Sequence, residues 1–389
     1  MKKQKIWLLG LLLCLFASLH AERQDSIRLS LLTCSPGPEV YAFFGHTAIR
    51  YQNFTRNTDV AFNYGMFSFN TPNFVWRFVK GETDYQLGVN SFIAFQHEYA
   101  SRGSVVYEQE LNLTNDEKMT LQNLLFTNFK PENRVYRYNY FYDNCTTRAR
   151  DQIEKCIKGR VVYQKGKQNM TFRKIIHEFT AVSPWYYMGI DYCLGAEADE
   201  EIDIRLQMFS PFYMKDFASK AYIEDENGDK RPLVIAETKV VDVPPFEAEP
   251  NFFLSPMTCV LIFMLVNFLV AYWQWKRKKI YWGWDVFLYG IQGIAGCLLS
   301  ILFFFSVHPT VGSNWMLALL HPIALLYLPW MIYRTKKGIK DYFSWVNAVY
   351  LTIFIIVFPF LPQDFNLTVL PLALGLLANA ASHVLVTNK

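Results

Sequence analysis

Tyr138-Asn-Tyr-Phe-Tyr-Asp-Asn-Cys-Thr-Thr-Arg-Ala-Arg-Asp151 is the stretch on which the fold turns. Upstream of it, Arg134 to Phe141 alternates in a strand-like way and is rich in Tyr. Downstream, Thr146 to Ile157 reads as a helix with Asn144 at the N-cap. Cys145 then opens that helix, where the positive end of the dipole pulls a thiol's pKa toward neutrality. Thiolate is the nucleophilic form, so a Cys that follows a strand and opens a helix is well placed for covalent catalysis. The same placement also suits a small buried Cys at a strand–helix junction. The rest of the chain decides between the two.

Working backward, Val105 to Leu113 alternates as a strand, and Thr114 with Glu117 forms a capping box for a helix reaching Phe129. Two short amphipathic helices precede it, Phe74 to Lys80 and Phe92 to Arg102, each stopped by a Gly. Earlier still come strand-like segments: Ser26 to Thr33, the run containing Gly45-His46-Thr-Ala-Ile-Arg-Tyr51, and Val60 to Phe69 with Asn63-Tyr64-Gly65. Ser35-Pro-Gly-Pro38 is a turn. Beyond the Cys helix, Thr171 to Phe179 reads as another helix. Trp185 to Gly189 and Asp191 to Ile204 read as an irregular, acidic loop.

The apolar residues, 52% of the 389, are concentrated after Pro256. Five runs there, Leu254–Trp275, Val286–Val307, Trp315–Tyr333, Trp345–Phe360 and Leu367–Val386, are close to the ~20 residues that cross a bilayer as a helix. Lys276 to Lys279 and Arg334 to Lys340 make two of the connecting loops basic and hence cytoplasmic, whereas the loops near His308–Asn314 and Pro362–Asn366 carry neither Lys nor Arg. Residues 22–253 therefore face outward. Met1 to Ala21 agrees: it has a basic start, an apolar core and a small residue at the end, the pattern of a secretory signal. The expected organisation is a signal peptide over 1–21, an exported domain over 22–239, a Pro-containing linker over 240–253, and a five-helix membrane domain over 254–389. Gly290, Gly293 and Gly296 would give the second membrane helix a small-residue packing face. The net charge of +4 is small, and no basic block lies away from the membrane segments, so nucleic acid is not an expected partner. Export to an oxidising compartment would allow one disulfide among Cys34, Cys156 and Cys193 if Cys145 stays free.

Three polar side chains in the exported domain have the types that a thiol triad needs: Cys145 as nucleophile, His46 as base, and Asn63 on the next strand to orient the imidazole. The His strand precedes the Cys helix, the order of a circularly permuted papain-like domain. The expected fold class is thus α+β outside the membrane, followed by an all-α bundle. There is no Gly-x-Ser-x-Gly elbow, His-Glu-x-x-His or Cys-x-x-Cys, which disfavours common serine hydrolases and zincins. No metal and no cofactor is expected.

The permuted order with Asn144-Cys145 opening the helix resembles, loosely, the lecithin:retinol acyltransferase-like proteins. A closer resemblance is to the family with an Lnb-type N-terminal periplasmic domain. It is carried by Phe44-Gly45-His46-Thr47-Ala48-Ile49-Arg50, Asn63-Tyr64-Gly65-Met66-Phe67, Asn133-Arg134-Val135-Tyr136 and Tyr142-Asp143-Asn144-Cys145-Thr146-Thr147-Arg148, and in the membrane part by His308 to Trp315. The resemblance implies a lipoprotein N-acyltransferase of the bacterial inner membrane. Such an enzyme takes an acyl chain from a phospholipid onto Cys145 and passes it to the α-amine of a diacyl lipoprotein's N-terminal Cys. His46 and Cys145 match the family's His and thiol positions; Asn63 is assigned from the residues alone. Asn144 and Arg148 are expected to support the site, Arg148 mainly by a local salt bridge or else by contacting a lipid phosphate. His308 and His321, each before a Pro near an outer helix end, are expected either to touch lipid head groups or to cap helices. His97 and His177, on expected helices, read as surface or core packing residues and not as catalytic ones. Two other functions fit the same residues: a membrane-anchored cysteine peptidase or amidase acting on cell-wall peptide, and a non-catalytic envelope scaffold.

Overall fold

A computed structural model describes residues 26–37, 39–244, 254–340 and 342–387. The expected signal over 1–21, with Cys14, lies outside the described residues, as do Pro38 of the expected turn and 245–253 of the expected linker.

The N-terminal part is a mixed α/β domain built on one antiparallel sheet. Its strands are β1 (Ile27–Cys34), β2 (His46–Asn53), β3 (Thr58–Met66), β4 (Asp84–Ser91), β5 (Val106–Leu111), β6 (Val135–Arg137) and, from the far end of the domain, β10 (Val234–Val241). They lie in the order β10-β5-β1-β2-β3-β4-β6. Alternation along β1 and β2 drives Leu29, Leu31, Ile49 and Tyr51 into the main core with Phe62 and Tyr64 of β3. Register then fixes the polar positions: Cys34 pairs with His46, and Ala48 with Asn63. A second sheet of β7 (Arg160–Val162), β8 (Tyr222–Glu224) and β9 (Lys230–Pro232) is small.

The helices of this domain are α1 (Phe74–Lys80), α2 (Phe92–Ser101), α3 (Asn115–Phe129), α4 (Cys145–Cys156), α5 (Phe172–Thr180), α6 (Pro184–Cys193), a single turn α7 (Ile204–Gln207) and α8 (Pro211–Lys220). The capping box at Thr114 and Glu117 is formed as the sequence implies. Glu117 also pairs with Arg231, tying α3 to β9. Leu121 and Leu125 of α3 and Ala149 and Ile153 of α4 join the core under the sheet.

Four segments differ from the sequence reading. Only Val135–Arg137 of the Tyr-rich run is strand; Asn139 then accepts the backbone N–H of Phe141 and Tyr142 in a side-chain turn that ends the extended path. The segment read as an irregular loop from Trp185 holds helix α6, begun by Pro184 at its first turn, where a missing N–H costs nothing. Its aromatics face several neighbours, which hides the helical period. Strand β4 is largely polar and β10 has no clean alternation; β10 is an edge strand with mostly exposed side chains and takes in the first residues assigned to the linker.

Five apolar helical spans follow among the described residues, each long enough to cross a membrane. They are α9 (Pro256–Arg277), α10 (Trp282–Phe305), the pair α11 (Met316–Leu319) and α12 (Ile323–Lys336), α13 (Tyr342–Val357), and α14 (Val369–Thr387). The third span is broken at His321-Pro322, since Pro322 cannot donate to the helix ladder. Of the three glycines expected to form a packing face, Gly293 and Gly296 do so: a Cβ there would collide with Leu325 and with the His321–Pro322 backbone. Gly290 faces open space. Toward the cytoplasmic end, Asp285 of α10 is fully buried and accepts from Asn379 and His383 of α14 at 2.8 and 3.0 Å, a polar lock between two helices.

Candidate active site

Cys145 is the first residue of α4, and the capping is complete. The Asn144 side chain accepts from the backbone N–H of Thr146 and Thr147 at 2.8 and 2.9 Å, while Thr147 Oγ1 accepts from the Asn144 N–H at 2.8 Å. Its amide group donates in turn to the carbonyls of Tyr140 and Phe209. A cap of this kind contributes ~1 kcal/mol, and here it also holds the backbone on either side of the thiol. The backbone N–H of Cys145 is left out of the Asn144 cap.

His46 begins β2. Gly45 before it has φ of 76°, and a Cβ there would run into the Cys34 carbonyl, so the turn that delivers the imidazole requires glycine. His46 Nε2 donates to Asn63 Oδ1 at 3.0 Å, which leaves Nδ1 for the Cys145 thiol. The Tyr99 ring lies parallel to the imidazole, with centroids 6.1 Å apart. Thr47 anchors the next position by a 3.0 Å hydroxyl contact with Thr146 of α4.

The electrostatics follow from this geometry. Burial pushes the Cys145 thiol up, but the charge of His46, its hydrogen bond, and further bonds from the Thr47 backbone and Thr146 hydroxyl outweigh it, so the thiol sits below its ordinary value. Burial pushes His46 down, and the facing thiolate with the Asn63 bond outweighs that, leaving the imidazole above its ordinary value. Both shifts run in the direction that favours transfer of the thiol proton to the imidazole. The other buried thiols of the domain show the contrast: burial drives Cys34 well up and Cys156 to about 12. Every described Cys is a free thiol, so the disulfide allowed among Cys34, Cys156 and Cys193 is not formed.

Around the thiol stand residues that the spacing of motifs did not single out. A Cβ on Gly65 would come within 3.6 Å of Cys145 Cβ, 3.8 Å of the Tyr138 ring and 3.9 Å of the Tyr136 hydroxyl. Gly65, at φ of 84°, thus keeps a gap open between these three groups. The hydroxyls of Tyr136 and Tyr140 are buried without a hydrogen-bond partner. The alternation of Tyr at 136, 138 and 140 was the available signal, readable only once the run is known to line a site.

Of the residues named from sequence, the structure brings together Cys145, His46, Asn63 and Asn144. Arg148 stands beside them: it makes a two-pronged salt bridge to Asp143 at 2.6 and 2.8 Å and stacks over the Tyr136 ring at 3.5 Å. His308 and His321 are engaged elsewhere. His308 Nε2 donates to the Phe78 carbonyl at 2.6 Å, and His321 occupies the break in the third span with its ring against Tyr350. His177 Nε2 is hydrogen-bonded to Asp191 at 3.0 Å, and His97 is exposed.

Residues 19–178 match the family model described as the Lnb N-terminal periplasmic domain, and residues 247–389 match the one described as the Lnb transmembrane domain. The chain belongs to the Lnb family. Its α/β domain is accordingly periplasmic and its five apolar spans form the membrane domain, in agreement with the orientation read from the basic loops. No curated protein and no solved structure matches the chain.

Proposed function

We propose that this Lnb family member is a lipoprotein N-acyltransferase working through an acyl-Cys145 intermediate, on a core that is a circularly permuted papain-like fold. The observation that carries the reading is the poised Cys145–His46–Asn63 cluster at the head of α4, in a domain fixed to five membrane spans. Neither acyl donor nor acceptor of this reaction leaves the membrane, so a membrane-held thiol supplies proximity.

In the first half-reaction the Cys145 thiolate attacks an ester carbonyl of a phospholipid. The carbonyl oxygen becomes an oxyanion, and the C–O bond then breaks as His46 gives its proton to the departing lysophospholipid alcohol. In the second half, the α-amine of the diacyl lipoprotein attacks the thioester. His46 takes the amine proton, the C–S bond breaks, and the thiolate is regenerated facing imidazolium. Asn63 holds Nε2–H so that Nδ1 faces sulfur throughout. The Cys145 backbone N–H and the Tyr136 hydroxyl, the latter buried without a partner, are the donors suited to the oxyanion. Arg148 over the Tyr136 ring works against burial, which holds that phenol's pKa well up, and so favours proton donation.

The test is intact-mass analysis of the protein in nanodiscs of diacyl phospholipid. A fatty-acyl increment on Cys145, removed by hydroxylamine and discharged on adding a diacyl lipopeptide with a free α-amine, is the expected result. A free, folded thiol that takes no acyl group from any phospholipid would rule the mechanism out and leave amide hydrolysis on cell-wall peptides as the reaction to assay.

A further inference from the structure

The thiol lies in the periplasmic domain, while a phospholipid's acyl ester lies at the membrane surface. Something must carry an apolar chain between them. From Cys145 outward, the Tyr138 ring flanks the gap kept open by Gly65. Tyr138 stacks on Tyr85 at 4.2 Å, Tyr85 on Phe67 at 5.0 Å, and Phe67 on Phe74 at 5.5 Å. Phe74 then meets Phe78 at 6.2 Å, and Phe78 meets His308 at 5.7 Å, at the outer end of α10. The row is unbroken from nucleophile to membrane helix.

At that end, α1 is bonded directly to the chain leaving the membrane. Ser306 Oγ donates to the Val79 carbonyl at 2.8 Å, the Val307 N–H to the Lys80 carbonyl at 2.9 Å, and His308 to the Phe78 carbonyl. This pins α1 at the level of the outer interface. On the same helix Val75 is 73% exposed and Trp76 is 53% exposed, and Phe69, packed on Phe74 at 5.2 Å, is 64% exposed. An apolar face of this kind beside a membrane span fits lipid, and Trp is the residue that favours the interface.

We propose that this aromatic row is the binding wall for the acyl chain of an outer-leaflet phospholipid donor, with Val75 and Trp76 set into the leaflet as its entrance. The chain slides from the leaflet along Phe78, Phe74 and Phe67 until its ester carbonyl reaches Cys145 beside Tyr138. The proposal rests on the acyl-transfer reading for its chemistry, but the binding it describes is independent of turnover.

Two measurements separate the two. In Val75→Glu/Trp76→Glu protein in phospholipid nanodiscs, acylation of Cys145 should slow by about tenfold or more, because two carboxylates resist entry into the leaflet. Alkylation of Cys145 by iodoacetamide, and its acylation by water-soluble p-nitrophenyl butyrate, should proceed at wild-type rates, showing an intact site. Phospholipid acylation left unchanged in the variant would overturn the wall. In Cys145→Ala protein, which performs no chemistry, a phospholipid with a photoreactive acyl chain should label Tyr85 or Tyr138. Labelling confined to the membrane helices would overturn the wall even if wild-type protein forms the thioester. Labelling of those two tyrosines supports it even if wild-type protein forms none.

Discussion

At α1 the periplasmic domain meets the membrane part through backbone carbonyls and aromatic rings; around the end of α6 it does so through a dense set of hydrogen bonds from a segment that a buried arginine holds. Arg173 is 1% exposed and binds Asp191 and Asp199 together with the carbonyls of Leu194 and Gly195. The segment so held then bonds to the membrane part: Gly195 N–H to the Thr310 carbonyl at 2.7 Å, Asn314 to the Tyr192 carbonyl at 2.7 Å, Tyr192 with Thr368 at 2.7 Å, and Gln363 to the Leu194 carbonyl at 3.1 Å. One contact is a dense polar network around buried side chains; the other joins three hydrogen bonds to backbone carbonyls with an exposed apolar face. The difference teaches a division of labour. The α6 contact fixes the domain in place, and the α1 contact leaves a face free beside the route to the thiol. Chemistry and stability should therefore separate under mutation.

The sharpest break of that comparison is His46→Ala, expected to change rate and not stability. With the imidazole present, Cys145 lies below the ordinary thiol range, so thiolate persists at pH values where a free Cys, with a pKa near ~8.5, is protonated. Alkylation of wild-type Cys145 should fall only as pH drops through that depressed value. Without His46, burial acts unopposed and the thiol's pKa rises. The alkylation profile should move to higher pH, and acyl transfer should drop by ~10²–10⁴ with the loss of the proton carrier. Superimposable profiles for variant and wild type would mean that the ion pair does not exist.

Arg173→Met should do the opposite. It takes the guanidinium from buried Asp191, which keeps only the His177 ring, and from Asp199, a change that costs up to ~3–5 kcal/mol. The thermal midpoint should fall clearly, while whatever remains folded alkylates at the wild-type rate. Adding Asp191→Leu should recover part of the loss, since it removes the stranded charge. Equal stability of Arg173→Met and wild type would show that the clamp is not the anchor.

The two contacts also differ in how far the sequence reveals them. Helix α1 was legible to the residue, because Phe74, Phe78 and a terminal Gly81 follow the helical period and stop rule. The five spans were legible from apolar length, and Cys145 from Asn144 and the helix behind it. His46 and Asn63 could be named as residue types, but their meeting depends on the β2–β3 register, which places Ala48 opposite Asn63. Helix α6 was not legible, since Asn314 and Thr368, which bond its Tyr192, and Thr310, which bonds Gly195 just after it, lie more than a hundred residues away in the chain. What fixes that helix is tertiary, and no local pattern records it.

The smallest expected effect bears on the open end. Tyr136→Phe removes one hydroxyl and keeps the ring under Arg148, so packing is preserved. If that hydroxyl steadies the oxyanion, acyl-enzyme formation from phospholipid should slow by about ten- to a hundredfold, less than for a sole donor because the Cys145 N–H remains. Alkylation by iodoacetamide is a displacement with no oxyanion, so its rate and pH profile should not move. A merely structural role would disturb both reactions or neither. The split between them would assign Tyr136 to the chemistry and show that the aromatic end, unlike the arginine end, places its unpaired polar group where charge develops.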